Sequence, residues 1–168
     1  MTFSEWEQGV PDEIQADSVW NSKAYRLALF LADLAWHDAT KLLSDKRTIS
    51  LADQLYRAAG AISADIEEGY SRGTGRDRAR FYEYALGSAR EARGWYYKGR
   101  HVLSGSVTGH SISLLTEIIK LLLSMVPDQR GQLLHKAAVP YVAEFAPKDI
   151  PSGLTATELL ENVPMPLP

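Results

Sequence analysis

The sequence predicts an all-α protein, an antiparallel up-and-down four-helix bundle with a proline-rich C-terminal extension. Three observations carry this. Four segments place apolar residues at helical spacing, no segment sustains the period-two alternation of a half-buried strand, and short polar breaks join the helical segments as antiparallel neighbours.

The first helix is expected after Asp17-Ser18, a plausible N-cap pair, and runs to about Leu43. Trp20, Ala24, Leu27, Leu31 and Leu34 form one stripe, and Tyr25, Leu29, Ala32 and Trp36 form a second nearly opposite. The second helix starts near Ser50, turns Leu51, Leu55, Ala58, Ile62 and Ile66 inward, and ends at Gly69, read as a left-handed C′ residue. After the loop YSRGTG, with Thr74 as N-cap, the third runs from about Arg76 to Leu103 with Phe81, Ala85, Ser88, Ala92, Trp95 and Gly99 inward. The fourth spans about Ser111 to Val126, where only Ser113, Glu117, Lys120 and Ser124 interrupt an apolar surface. Beyond Pro127 the prolines exclude long helices, although Gln129–Ala138 and Thr155–Glu161 can each form a short one. The chain therefore divides into an acidic N-terminal segment (1–16), the bundle (17–126) and the extension (127–168). A lone bundle needs one apolar stripe per helix, so the surplus on the first and fourth helices predicts self-association.

Composition narrows the function. The chain has 168 residues, 45% of them hydrophobic, enough for one domain with a sizeable core. Without cysteine there is no disulfide, thiolate nucleophile or cysteine-ligated metal site. The acidic start lacks the order of a signal peptide, and Glu117 and Lys120 interrupt the most apolar run, so a soluble cytoplasmic protein is expected. The net charge of −3 conceals a local asymmetry: residues 72–100 carry eight bases against three acids. A local anion-binding surface is compatible with that balance, whereas coating nucleic acid by bulk charge is not.

Residues 17–34 (DSVWNSKAYRLALFLADL), 54–72 (QLYRAAGAISADIEEGYSR) and 85–91 (ALGSARE) resemble the four-helix-bundle family named after an open reading frame in bacterial 23S rRNA intervening sequences. Val19, Trp20, Gln54, Arg57, Ala58, Ala59, Ile62, Ile66, Glu68, Gly69, Arg72, Ala85, Gly87, Ser88 and Glu91 occupy matching positions. Asp65, Glu67, Ala61 and Ser71 depart from the usual asparagine, small residue, serine and glycine. The resemblance implies a ring-like homopentamer without catalytic activity. The related accessory variability proteins of diversity-generating retroelements further imply binding of structured nucleic acid and partnership with a reverse transcriptase.

The residues themselves offer three chemistries. Asp65, Glu68 and Glu91 could converge as a carboxylate cluster, but the Glu-x-x-His pairs of a di-iron bundle are missing, and His37, His101, His110 and His135 share no ligand spacing. The preferred reading of these acids is structural pairing with arginine, with Arg57, Arg72 and Arg76 as candidates for the partly inward Asp65. The Gly73-Thr74-Gly75 loop follows a helix and lacks the remaining residues of a dinucleotide or P-loop fingerprint, so it reads as an interhelical turn. The third reading is nucleic-acid binding. Tyr82, Arg90, Arg93, Tyr97 and Arg100 fall in one sector of the third helix, and Arg72, Arg76, Arg78, Arg80 and Lys98 extend the basic surface. Arginines mixed with tyrosines suit phosphate contacts combined with base stacking. No catalytic residue, metal or cofactor is expected; the expected partners are further copies of the chain, nucleic acid and an enzyme such as a reverse transcriptase, or else a protein docked on the ring and extension.

Overall fold

The computed structural model describes residues 2–130, 155–161 and 163–164. Its helices, in chain order, are α1 (Phe3–Gln8), α2 (Asp12–Gln15), a 3₁₀ turn (Ser18–Asn21), α3 (Lys23–Leu42), α4 (Ile49–Tyr70), α5 (Gly75–Gly99), α6 (Gly105–Arg130) and α7 (Ala156–Glu161). The four long helices, α3 to α6, pack in sequence order and close with α3 against α6, which is the expected all-α antiparallel bundle.

The helix starts follow local chemistry. The first long helix begins later than expected because Asp17 caps the 3₁₀ turn, its Oδ1 accepting from the Val19 N–H at 3.0 Å, while the Ser22 hydroxyl caps α3. Thr74 caps α5, accepting from the Asp77 N–H at 3.1 Å. On α3 the stripe Ala24, Leu27, Leu31 and Leu34 is buried as expected; on α4 Leu55, Ala58, Ile62 and Ile66 are buried and Leu51 is half-buried.

Three sequence expectations need correction. Gly69 is not a left-handed terminator: α4 continues through Tyr70, and Gly69 is buried against α5. A Cβ there would stand 2.9 Å from both Phe81 Cβ and Tyr82 Cε1, so glycine permits the two helices to approach. The inner face of α5 is also rotated by roughly 70° at 3.6 residues per turn. Ala79, Tyr82, Ala85, Leu86, Ala89, Ala92, Tyr96 and Gly99 are buried, while Phe81, Ser88 and Trp95 are half-buried. Finally, α6 starts six residues earlier than expected and passes through Pro127 to Arg130. Proline there removes only one backbone bond close to the helix end. Contacts with α5 hold that last turn: Arg78 Nη1 donates to Gln129 Oε1 at 3.1 Å, and Arg130 pairs with Glu83 at 2.6 Å.

The terminal segments fold onto the bundle. Trp6 is buried with its ring centroid 5.2 Å from that of Phe30, and its Nε1 donates to Asp33 Oδ2 at 2.6 Å. Glu7 pairs with Arg26 at 2.6 Å. The acidic N-terminal segment thus covers part of the second α3 stripe: Tyr25 is buried, Leu29 and Ala32 are half-buried, and only Trp36, 59% accessible, stays open. In the extension, α7 realises the expected short helix at 155–161, while the other expected one, Gln129–Ala138, lies mostly outside the described residues. Leu159 is buried against the bundle, so part of the surplus apolar surface on α6 is also covered from within the chain. By length and composition α6 would suffice to cross a membrane, yet half of that stretch is buried in the bundle.

Candidate nucleic-acid interface

The basic residues are presented by the α4–α5 corner and by α5, whose helix is set by the Thr74 cap and by small residues on its inner side. At the corner, Arg72 pairs with Glu68 and lies 4.5 Å over the Phe81 ring. Arg78 is half-buried and structural: besides Gln129 it donates to the Arg72 carbonyl at 3.2 Å, tying the corner to the end of α6. Arg76 and Arg80 remain exposed, and with Asp77, Glu83 and Arg130 they line an open cleft of about 460 Å³. Arg80 Nε donates to the Tyr84 hydroxyl at 2.6 Å.

Further along α5, Arg90 is exposed, and Arg93 is half-buried with Nη1 3.4 Å from Thr116 Oγ1 of α6. Tyr97 is 46% accessible, and the Arg100 guanidinium lies 4.0 Å above its ring. Lys98 Nζ lies 3.9 Å over the Trp95 ring, whose Nε1 donates to Glu91 at 3.1 Å. Tyr82 does not belong to this surface. It is 3% accessible, and burial, ahead of all other influences, pushes its phenol above the ordinary range. Of the sector expected to point outward, Arg90, Tyr97 and Arg100 are exposed, whereas Tyr82 is buried against Gly69 of α4 and Arg93 is half-covered beside Thr116 of α6.

The carboxylate pairing also differs from expectation. Asp65 is half-buried and accepts from the Ser88 hydroxyl at 3.4 Å, with no arginine pairing among the described residues. Burial raises its pKa, Ser88 lowers it and Glu68 raises it further. Arg57 lies eight positions earlier on α4, about 12 Å of helical rise, and pairs instead with Asp53 at 3.8 Å. Arg76 points to the cleft beside α6. Asp65, Glu68 and Glu91 each have a separate partner, in Ser88, Arg72 and Trp95. Among the described residues no group of three His, Asp or Glu side chains could hold a metal ion.

Two buried polar contacts escaped sequence reasoning. Asp38 is 2% accessible and accepts from the Tyr96 hydroxyl at 2.8 Å inside the bundle. Burial pushes Asp38 up to about 6 against the lowering effect of Tyr96, and the phenol is itself driven well above its usual value, chiefly by burial. Asp38 follows Leu27, Leu31 and Leu34 on the core stripe, so a polar residue in an apolar register was the available signal. The second contact joins His110 Nε2 to the Leu159 carbonyl at 2.7 Å, and His110 likewise shares a helical face with Leu114 and Ile118.

Neither the curated proteins nor the solved structures returned a match. The family model described as 23S rRNA-intervening sequence protein matches residues 21–124, from the end of the 3₁₀ turn through most of α6. That span contains α3, α4, α5 and most of α6 and leaves α1, α2 and α7 outside, and on this match the chain belongs to the 23S rRNA-intervening sequence protein family.

Proposed function

We propose that the protein is a non-enzymatic, oligomeric adaptor that binds structured nucleic acid through the outward face of α5 and serves a nucleic-acid enzyme such as a reverse transcriptase. One observation carries the reading: Arg80 with Tyr84, Lys98 with Trp95 and Arg100 with Tyr97 form cation–aromatic couples, while exposed Arg76 and Arg90 have no ion pair among the described residues. Such couples offer a positive charge to phosphate and a ring face to a base. From Arg76 to Arg100 the helix presents this surface over about 36 Å. The family's description, an rRNA intervening sequence, supports a nucleic-acid setting. Repeating the face in a ring, a pentamer by the family resemblance, would multiply a weak single contact.

The test is a mobility-shift titration with structured RNA and with duplex DNA at 50 and 200 mM salt. The wild type binds with a steep salt dependence, and Arg76→Glu with Arg90→Glu weakens binding at least tenfold and flattens the slope by about two. Equal affinity for wild type and variant removes the proposal.

A second reading, a protein-docking scaffold, is favoured by a different face. Trp36 and Tyr56 meet edge-on at 5.7 Å with both rings exposed, and Leu43 and Ile49 are exposed one heptad along the same α3–α4 hairpin. Co-purification that depends on Trp36 and Tyr56 and ignores Arg76 and Arg90 would select it.

A further inference from the structure

The C-terminal helix α7 has six residues, below the dozen or more that an isolated helix needs, so its helical state depends on its seat. That seat is formed by α1 together with α3 and α6, where Leu159 and Leu160 face Leu27, Leu114 and Leu121. A buried polar contact helps to set its register. The Leu159 carbonyl is among the last four of α7 and has no partner within the helix. The His110 imidazole supplies one: with the hydrogen on Nε2, the ring donates to that carbonyl at 2.7 Å.

We propose that α7 is a detachable strap locked by neutral His110, and that proton uptake by this imidazole releases the strap from the bundle. A protonated ring keeps the Nε2 donor but brings a charge into a site where His110 is 3% accessible. Among the described residues no carboxylate is placed to compensate. From α3 the seat receives Lys23, and Arg26 nearby is held by Glu7 of α1. From α6 it receives Glu117, engaged by Lys120 at 2.6 Å. Glu161 of α7 is exposed, and α5 contributes Tyr96, whose hydroxyl is engaged by Asp38 and Ser111. Burial accordingly lowers the imidazole's pKa, against the raising effect of the Leu159 carbonyl. A group whose pKa is depressed in the docked state favours docking above its free value near 6.5 and opposes it as pH falls below that. Opening returns the ring to water, so the free energy of proton uptake favours the released state.

Hydrogen exchange on the full chain tests the strap directly. Protection of the 155–161 amides, corrected for intrinsic exchange, should fall at least tenfold between pH 7.5 and 5.0 while α4 and α5 stay protected. His110→Gln, whose amide donates without titrating, should make that protection independent of pH. Protection that is pH-independent in the wild type, or equally pH-dependent in His110→Gln, overturns the proposal. Linkage supplies a check that survives if glutamine fails to seat the strap: Leu160→Ala should loosen α7 and move the His110 titration, followed by NMR, up toward 6.5. An unmoved titration overturns the proposal as well.

Discussion

The two faces of α5 follow opposite rules although they share one backbone. The inner face is built from alanines, glycine and two buried tyrosines, and its neighbours approach so closely that a single carbon atom at Gly69 would collide with it. The outer face carries arginine, lysine and exposed rings at loosely packed positions. Substitutions on the first should move stability and leave binding to follow; substitutions on the second should move binding alone. The contrast teaches that a residue's type on this helix says little without its angle, since Tyr82 and Tyr97 are fifteen positions apart and play unrelated parts.

The largest effect should come from Gly69→Leu, which forces α4 away from Phe81 and Tyr82 and should cost about 3 kcal/mol or more in denaturant unfolding. A stability within experimental error of wild type would show that the corner is looser than its contacts indicate.

Next comes Asp38. Its folded pKa of about 6 lies above the unfolded value of 3.8, so folding favours the neutral acid. The associated stabilisation is complete below about pH 4 and disappears as pH rises through about 6, on the order of 2–3 kcal/mol across that window. Asp38→Asn should flatten this part of the stability profile, measured by urea unfolding at half-unit pH steps. An unchanged profile would mean that Asp38 titrates like an exposed carboxylate.

Arg78→Met keeps the packed stem but removes the bonds to Gln129 and to the Arg72 carbonyl, and should lower stability by about 1–2 kcal/mol. Smallest of all, Arg76→Glu with Arg90→Glu should change unfolding free energy by less than about 0.5 kcal/mol while it weakens nucleic-acid binding at least tenfold and flattens its salt slope by about two. A large stability loss in that double variant would erase the distinction between the two faces.

Much of this was legible in the sequence because a long amphipathic helix repeats its signal. Leu27, Leu31 and Leu34, or Leu55, Ile62 and Ile66, point one way whatever surrounds them, and the Thr74 cap follows from hydroxyl chemistry alone. The phase of α5 was harder to read. Its inner positions are mostly alanine and glycine, which carry little periodic contrast, so Phe81 and Trp95 drew the expected face toward themselves. The N-terminal helix was hidden for a related reason: six residues with two acids give no periodicity, and Trp6 finds its place only against Phe30 and Asp33 of α3. The usual local meaning of Pro127 and of Gly69 is a helix end, and tertiary packing overrides it at both. For the arginines the sequence shows charge but not partner, so it could not separate Arg78, consumed by the fold, from Arg76.

The contact between α1 and α7 has a kinetic consequence. Gln8 and Ala156 are 148 positions apart, whereas consecutive bundle helices meet across breaks of only a few residues. Closing so long a loop becomes favourable only once the hairpins have zipped and brought the two ends together. That junction should therefore form last during refolding and open first under stress.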